Sequence, residues 1–313
     1  MFVARRLLSA IPVLAVVSVI TFLLMWLIPG DISAELGGTE ATPEILERIR
    51  EQFGLNKPIL ERAAQWYGAL FQGDLGHSYL LNRSVADAVF ERLPVTLSLA
   101  ALGLVLASVF GVLLGILAAV RHNSWVDQSS MVGALIGLSI PDFWFGLVLI
   151  IVFGVLLGWL PTGGYVPITE DFLGWVRSMT LPALTLAFTQ MGVIARMTRS
   201  SMLDVLDQDF IRTARAKGMS AYTVVFKHAL RNALVPIVTV MGLTAGVLLS
   251  GAVVIESVFS LPGVGRLIVG SIQRRDFPII QGGLLVTACV FVFVNLVVDI
   301  LYGWLDPRVR NER

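Results

Sequence analysis

The chain has 313 residues, of which 56% are hydrophobic and only 14% are charged, against about 25% charged in an average soluble protein. This composition excludes a disordered chain, a coiled coil and a secreted disulfide scaffold, and it indicates a protein with several membrane spans. A net charge of +1 gives no general attraction to nucleic acid.

Six apolar runs approach or exceed the length needed to cross a hydrocarbon core, about 20 helical residues. We therefore predict an all-α membrane protein with six transmembrane helices, at residues 7–28, 97–120, 131–160, 181–195, 233–255 and 277–305. The fourth run is the shortest. The first run starts like a signal peptide, but its apolar part is too long and no small-residue cleavage site follows it.

Basic residues in the short loops predict the orientation of the spans. With the N-terminus in the cytoplasm, the inside segments carry thirteen Lys and Arg and the two short outside loops carry four. Both termini are therefore placed inside. The predicted domains are a first span at 1–28, an outside helical lobe at 29–96, a five-helix core at 97–305 containing a cytoplasmic loop at 196–232, and a cytoplasmic tail at 306–313.

The outside lobe is predicted to contain two helices. Thr42 and Pro43 suit the start of the first helix and Gly54 its end. Pro58 begins the second helix and Gly73 ends it. The lobe either only packs on the spans or also offers a docking surface to an outside partner, and the residues do not separate these two interpretations.

Ionisable side chains inside a span are costly and mark candidate functional positions. Asp142 follows Pro141, which permits a kink; the acid either meets a substrate or is structural. Asp299 either lines a path or forms local hydrogen bonds near the interface. A Gly- and Pro-rich turn after the fifth span is a candidate outer gate. The candidate path or gate residues are Pro141, Asp142, Phe143, Trp144, Glu256, Arg266 and Asp299.

The cytoplasmic loop at 196–232 is predicted to form two short helices. Asp209, or the nearby Asp207, starts the first and Gly218 ends it. Ser220 caps the second, which runs to Asn232, and Pro236 marks the start of the next span. The small alanines of the first helix suit insertion into a cleft of another protein. An amphipathic helix held on anionic lipid by its arginines is the alternative.

Several chemistries are excluded by inspection. The three lysines, Lys57, Lys217 and Lys227, do not follow glycine, so the chain lacks a phosphate-binding P-loop. No His-Glu-x-x-His zinc motif and no nucleophile–base pair is recognised in the sequence. We therefore predict no catalytic residue, no metal site and no cofactor bound by this chain.

Several motifs together resemble the permease subunits of ABC importers, in the branch for peptide and nickel uptake. Arg212 and Thr213 stand where the general coupling motif has Glu and Ala, whereas Ala214 and Gly218 match it, and Gly218 to Pro236 is longer than the general spacing; the branch has similar departures. The motifs lie at residues 53–58, 73–76, 139–144, 212–218, 227–236, 259–266 and 305–308.

The resemblance implies one of two related permeases that line a shared path in the inner membrane of a bacterium. Two cytoplasmic ABC ATPases would use ATP and Mg²⁺, an outside solute-binding protein would deliver the substrate, and transport would proceed by alternating access. The residues implied to couple to the ATPase are Asp209, Arg212, Thr213, Ala214, Arg215, Ala216, Lys217, Gly218, His228, Asn232 and Pro236.

The predicted cargo is a short peptide. Nickel chelates, glutathione or another small solute are alternatives for the same machine. A stand-alone secondary transporter is the competing class, but the sequence lacks the paired broken helices of inverted repeats that such transporters show.

Overall fold

The computed structural model describes residues 2–27, 42–52, 56–78 and 80–305. Its α-helices are α1 (Phe2–Leu27), α2 (Pro43–Gln52), α3 (Ile59–Phe71), α4 (Val85–Phe90), α5 (Leu93–Val120), α6 (Trp125–Ser139), α7 (Asp142–Leu149), α8 (Phe172–Leu206), α9 (Asp209–Ala216), α10 (Leu230–Val258), α11 (Val264–Gln273) and α12 (Phe277–Leu305). Two π-helical segments, π1 (Ile150–Leu156) and π2 (Thr223–Ala229), extend α7 and precede α10. A hairpin of two-residue strands, β1 (His77–Ser78) and β2 (Arg83–Ser84), is the one departure from an all-α chain among these residues.

Four helical stretches in the described residues are long and apolar enough to cross a membrane: Val85–Val120, Phe172–Leu206, Thr223–Val258 and Phe277–Val298. A fifth span is possible if α6 and the α7–π1 helix, bent by 103° at their junction, count as one. The described apolar part of α1, Ala10–Leu23, is shorter. The chain is thus a helical membrane protein with four or five candidate spans by this measure, and the count of six stays a prediction.

The predicted third span is broken rather than continuous. Ile140 is extended, with ψ 126°, and Pro141 caps the start of α7. The cause is local, because proline lacks a backbone donor and disfavours helical geometry in the residue before it. Where a kink was predicted, the structure therefore has a break at which the two helices are bent by 103°. We call α6, α7 and π1 the bent pair.

The limits of the two following spans also differ from prediction. The predicted fourth span, 181–195, lies inside the 35-residue helix α8, because its polar flanks are helical too. The second loop helix does not end at Asn232 but continues through π2 into α10. Pro236 lies inside α10. Proline removes one backbone donor there without ending a helix that neighbouring groups support.

The chain divides into two compact units. The first contains Val3–Val95 and Pro262–Val292, and the second contains Thr96–Leu261 and the chain from Phe293 onward. In the first unit, a core cluster joins α4 to α11 and α12 through Val85, Val89, Val264, Ile268 and Ile279. The buried Ser78 hydroxyl also donates to the carboxylate of Asp276, so the lobe hairpin is tied to the turn before α12.

Helix α8 is the centre of the second unit, and α6, α7 and α10 all pack against it. Helix α5 also approaches it closely at two glycines. A Cβ atom at Gly111 would lie 2.9 Å from Cβ of Ile194, and one at Gly115 would lie 2.5 Å from the carbonyl oxygen of Ala195. Small residues let helix backbones approach this closely in membranes.

Candidate functional site

The predicted first loop helix forms as α9 and is anchored to its own unit by two side chains. Ile211 is fully buried and Ala214 is 6% exposed. They are three residues apart and therefore share one helical face. Both belong to a cluster of buried residues from α5, α8, π2 and α10, made up of Ile116, Ala119, Met202, Ile211, Ala214, Val224, Val225, Ala229, Ala233 and Ile237.

The opposite face of α9 is exposed and polar. It presents Asp209, Arg212, Thr213, Arg215, Ala216 and Lys217. Arg212 Nη1 lies 3.3 Å from Asp209 Oδ1, but both side chains are exposed, so the pair adds little stability. Of the two alanines predicted to smooth a docking face, the structure places only Ala216 on the surface; Ala214 faces the chain's own core.

Gly218 ends α9 in the left-handed conformation, with φ +75°. Its N–H donates to Arg215 O at 3.0 Å, and the N–H of Met219 donates to Ala214 O at 3.3 Å. These bonds pair carbonyls at the end of the helix, as glycine commonly allows. Beyond its neighbouring residues, no described atom lies within 4 Å of a Cβ built at Gly218, so the space around this turn is open.

The π2 segment continues the same surface. Val224, Val225 and Ala229 are buried in the cluster below α9. The rings of Tyr222 and Phe226 are in tilted contact on the outside, with centroids 4.7 Å apart and exposed fractions of 72% and 40%.

The remaining predicted loop residues lie where π2 joins α10. Asn232 Nδ2 donates to His228 O at 2.6 Å. His228 Nε2 is buried without a hydrogen-bond partner among the described residues. Pro236 is half-buried in α10. These three residues line the stem of the loop, whereas the exposed cations and rings form a surface that suits a partner with acidic and apolar groups.

The bent pair holds the predicted path residues of the third span. Thr189 of α8 donates through Oγ1 to Asp142 Oδ1, so this acid is tied to α8. Phe143 and Trp144 are about half exposed, at 48% and 51%.

A second acid ties the bent pair to α8, and sequence reasoning missed it. Asp127, in the first turn of α6, is 3% exposed. Arg199 of α8 binds it through two bonds, Nε to Oδ1 at 2.5 Å and Nη2 to Oδ2 at 2.7 Å. The Ser124-x-x-Asp127 pattern could have identified the start of α6, since Ser124 Oγ accepts from the Asp127 N–H. No local signal connects residues 72 positions apart.

The two predicted outer-gate residues, Glu256 and Arg266, differ in exposure. Glu256 is fully buried, and Thr96 Oγ1 donates to its Oε1 at 2.5 Å. Arg266 is exposed on α11, which belongs to the other unit. Asp299 lies on α12, but its side chain is outside the described residues.

A cavity of about 350 Å³ lies between α5, α6 and α8. Its lining is Leu114, Ser129, Ser130, Gly133, Ala134, Phe188, Met191, Gly192 and Ala195. The two serine hydroxyls donate to Val126 O of their own helix, so the walls are mainly apolar. No group of three or more potential metal ligands occurs in the described part of the chain.

Long apolar helices, a sharply bent helix pair and a short amphipathic helix with one exposed face define a multi-span membrane protein. The chain belongs to the family of binding-protein-dependent transport system inner membrane components, which residues 111–311 match. Residues 1–100 match the N-terminal part described for such membrane components. The resemblance to ABC importer permeases of the peptide and nickel branch is confirmed.

The relatives match over nearly their whole length. A Brucella abortus protein with the provisional name peptide transport system permease is 49% identical, covering 99% of both chains. The glutathione transport system permease GsiC of Escherichia coli K12 is 44% identical, again over 99% of each. The di/tripeptide transport system permease DppB of Pseudomonas aeruginosa is 42% identical over 100% of this chain and 99% of its own.

Solved structures show the same fold. An inward-facing structure of the MetNI methionine ABC transporter aligns with a TM-score of 0.56 at 19% identity, covering 69% of this chain and 95% of that one. An amino acid ABC transporter crystallised with histidines aligns with a TM-score of 0.51 at 16% identity, covering 71% and 94%. At these identities the likeness concerns the fold alone.

Proposed function

We propose that this chain is the membrane-spanning subunit of an ATP-driven importer for short peptides. The observation that carries the proposal is the division of α9 into two faces. Ile211 and Ala214 fix the helix to its spans, while the charged face and the Gly218 turn stay open. When a docked protein displaces a helix that is anchored in this way, the spans are displaced with it.

The proposed machine has five subunits. Two cytoplasmic ABC ATPases bind ATP and Mg²⁺, and one of them receives α9 in a cleft. A second, homologous permease completes the path, and an outside solute-binding protein delivers the cargo. The chain itself is not an enzyme, binds no cofactor and lies in the bacterial inner membrane with both termini in the cytoplasm. The family to which it belongs supports this assembly.

The names of the relatives support a peptide cargo. The three relatives described above are named for transport of peptides, di- and tripeptides, and glutathione, which is itself a tripeptide derivative. Glutathione is therefore the second candidate, and nickel chelates carried by the same machine are a further one. Asp142, Phe143 and Trp144 are proposed to line the path near the break in the bent pair, and Glu256 and Arg266 to act at the outer mouth.

Two substitutions at Gly218 test the docking of α9. Alanine and tryptophan both incur the left-handed backbone cost of about 1–2 kcal/mol, so that cost cancels in the comparison. The Cβ atom that both side chains share lies more than 4 Å from every described atom beyond its neighbouring residues. The additional volume of tryptophan therefore tests whether a partner is bound against this turn.

The measurement is ATP-driven uptake of radiolabelled trialanine, and separately of glutathione, by the complex purified from its own membranes and placed in vesicles. We expect Gly218→Ala to retain at least about a third of the wild-type uptake and Gly218→Trp to lose it more than tenfold, with equal insertion. Equal uptake by the two variants would contradict docking at this turn.

A further inference from the structure

Helix α8 holds both arms of the bent pair by the acid in the first turn of each arm. Asp127 stands in the first turn of α6 and Asp142 in the first turn of α7. Arg199 binds the first acid and Thr189 the second. Both arms of the broken span are thus connected to one continuous helix by polar bonds.

The two connections differ in strength and in position. The Thr189 hydroxyl also approaches Gly137 O at 3.4 Å. Arg199 instead binds both carboxylate oxygens of Asp127 in a bidentate pair. The Asn123 N–H also donates to Asp127 Oδ2 at 3.0 Å. A forked, charge-assisted pair fixes direction as well as distance.

Arg199 lies next to the region that anchors α9. Met202, less than one turn further along α8, is fully buried in the cluster that contains Ile211 and Ala214. Thr198, which directly precedes Arg199, lies where α5 comes close to α8 at Gly115. A displacement of α9 therefore reaches Arg199 through packed side chains of one short stretch of α8.

We propose that the Asp127–Arg199 ion pair is a positioning joint that makes α6 move with α8, and so carries the displacement of α9 to the bent pair. The proposal rests on the proposed function, since it assigns the pair a role in coupling ATP hydrolysis to transport. Both residues act through the helices they join and not on the substrate.

The experiment separates a role in coupling from a role in folding. Removing one partner of a buried ion pair leaves an unpaired charge and is destabilising, whereas replacing both partners with neutral groups is often tolerated. The variants are therefore Arg199→Met alone and Arg199→Met combined with Asp127→Asn. Arg199→Lys keeps the charge but loses the fork. Arg83→Met is the control, because it breaks an exposed ion pair in which Arg83 Nη2 lies 2.6 Å from Glu91 Oε2.

The readouts are the yield of assembled complex, ATP hydrolysis, and trialanine or glutathione uptake per ATP hydrolysed. We expect the single Arg199→Met variant to assemble poorly. The double variant should assemble within twofold of wild type and hydrolyse ATP, but its uptake per ATP should fall at least tenfold. Arg199→Lys should lie between these values, and Arg83→Met should match wild type. A double variant with wild-type uptake per ATP would overturn the proposal.

A second measurement tests the joint without transport. Cys289 is the only cysteine, so spin labels can be placed at Val132→Cys of α6 and Leu184→Cys of α8 in a Cys289→Ala background. We expect one narrow distance distribution in the assembled complex, unchanged by ATP and vanadate. In the double variant the distribution should broaden or split.

An unchanged distance distribution in the double variant would overturn the proposal that the ion pair holds α6 to α8. Failure of the wild-type complex to take up either probe would instead count against the proposed cargo and function. In that case the label distances still decide whether the ion pair holds α6 to α8.

Discussion

Two short amphipathic helices outside the spans, α3 of the lobe and α9 of the loop, are held in different ways. Helix α9 has only eight residues, yet two of them are buried in a core cluster. Helix α3 has thirteen residues and none is buried. Its contacts with α1 include ring contacts, in which the ring centroids of Trp66 and Tyr67 lie 5.7 and 6.4 Å from that of Phe22.

The difference concerns what each helix can transmit. A side chain enclosed in a close-packed cluster is displaced together with its neighbours, so we expect α9 to move with α8, which contributes Met202 to the same cluster. The exposed Leu60 and Phe71 of α3, at 80% and 88%, leave that helix free to adjust without disturbing a core. A helix held like α3 suits contact with a partner that arrives and leaves.

The largest expected effect comes from truncating the same kind of side chain in the two helices. Ile211→Ala should destabilise the packing of α9 by about 2–5 kcal/mol, as large-to-small core changes do, and should abolish uptake. Leu60→Ala should change stability by less than about 0.5 kcal/mol. Thermal melting of the purified complex and uptake in vesicles measure both variants. Similar losses in the two would remove the distinction between an anchored and a loosely held helix.

A smaller effect is expected where α5 braces α8. Gly115→Ala would place a methyl group 2.5 Å from the carbonyl oxygen of Ala195, and such overpacking costs about 1–3 kcal/mol. The new methyl group of Gly133→Ala on α6 lies more than 4 Å from every described atom beyond its neighbouring residues and nearby helix backbone, so this change should be neutral or stabilise the helix by about 0.5–1 kcal/mol. The order of the two melting temperatures checks this prediction, and a reversed order would contradict the close approach of α5 and α8.

The smallest effect is expected at the polar contact between α3 and α1. Tyr67→Phe removes one hydroxyl, which lies 3.3 Å from Ser18 Oγ. Because the contact is long, we expect a loss of only about 0.5 kcal/mol, the lower end for a hydrogen bond, with uptake unchanged. The same melting and uptake assays apply. A marked loss of uptake would mean that α3 is held more firmly than its ring contacts indicate.

Local signals predicted the short helices well. Pro58 and Gly73 bracket α3, Thr42 precedes α2, and Gly218 follows α9 within two residues of the predicted limits. Each is a residue whose backbone preferences act on its immediate neighbours. The same reasoning predicted a kink at Pro141, but not its angle, which depends on the helices that pack on either side.

Non-local features could not be predicted in this way. The bond between Asp127 and Arg199 joins residues far apart in the chain, and either charge alone resembles an ordinary loop charge. The continuation of α10 through Pro236 was missed because the local rule for proline favours a boundary, and support from neighbouring groups overrides that rule. Ala214 was assigned to the docking face because composition does not reveal which side of an eight-residue helix meets the core.

The break at Ile140 and Pro141 restricts what can surround this subunit in the bilayer. Each arm has fifteen residues and is about 22 Å long, shorter than the hydrocarbon layer of about 30 Å. Backbone groups at a helix break need hydrogen-bonding partners, and acyl chains supply none. The break therefore marks a place where lipid tails are unsuitable neighbours, and where α8, water or another polypeptide must supply the hydrogen-bonding partners.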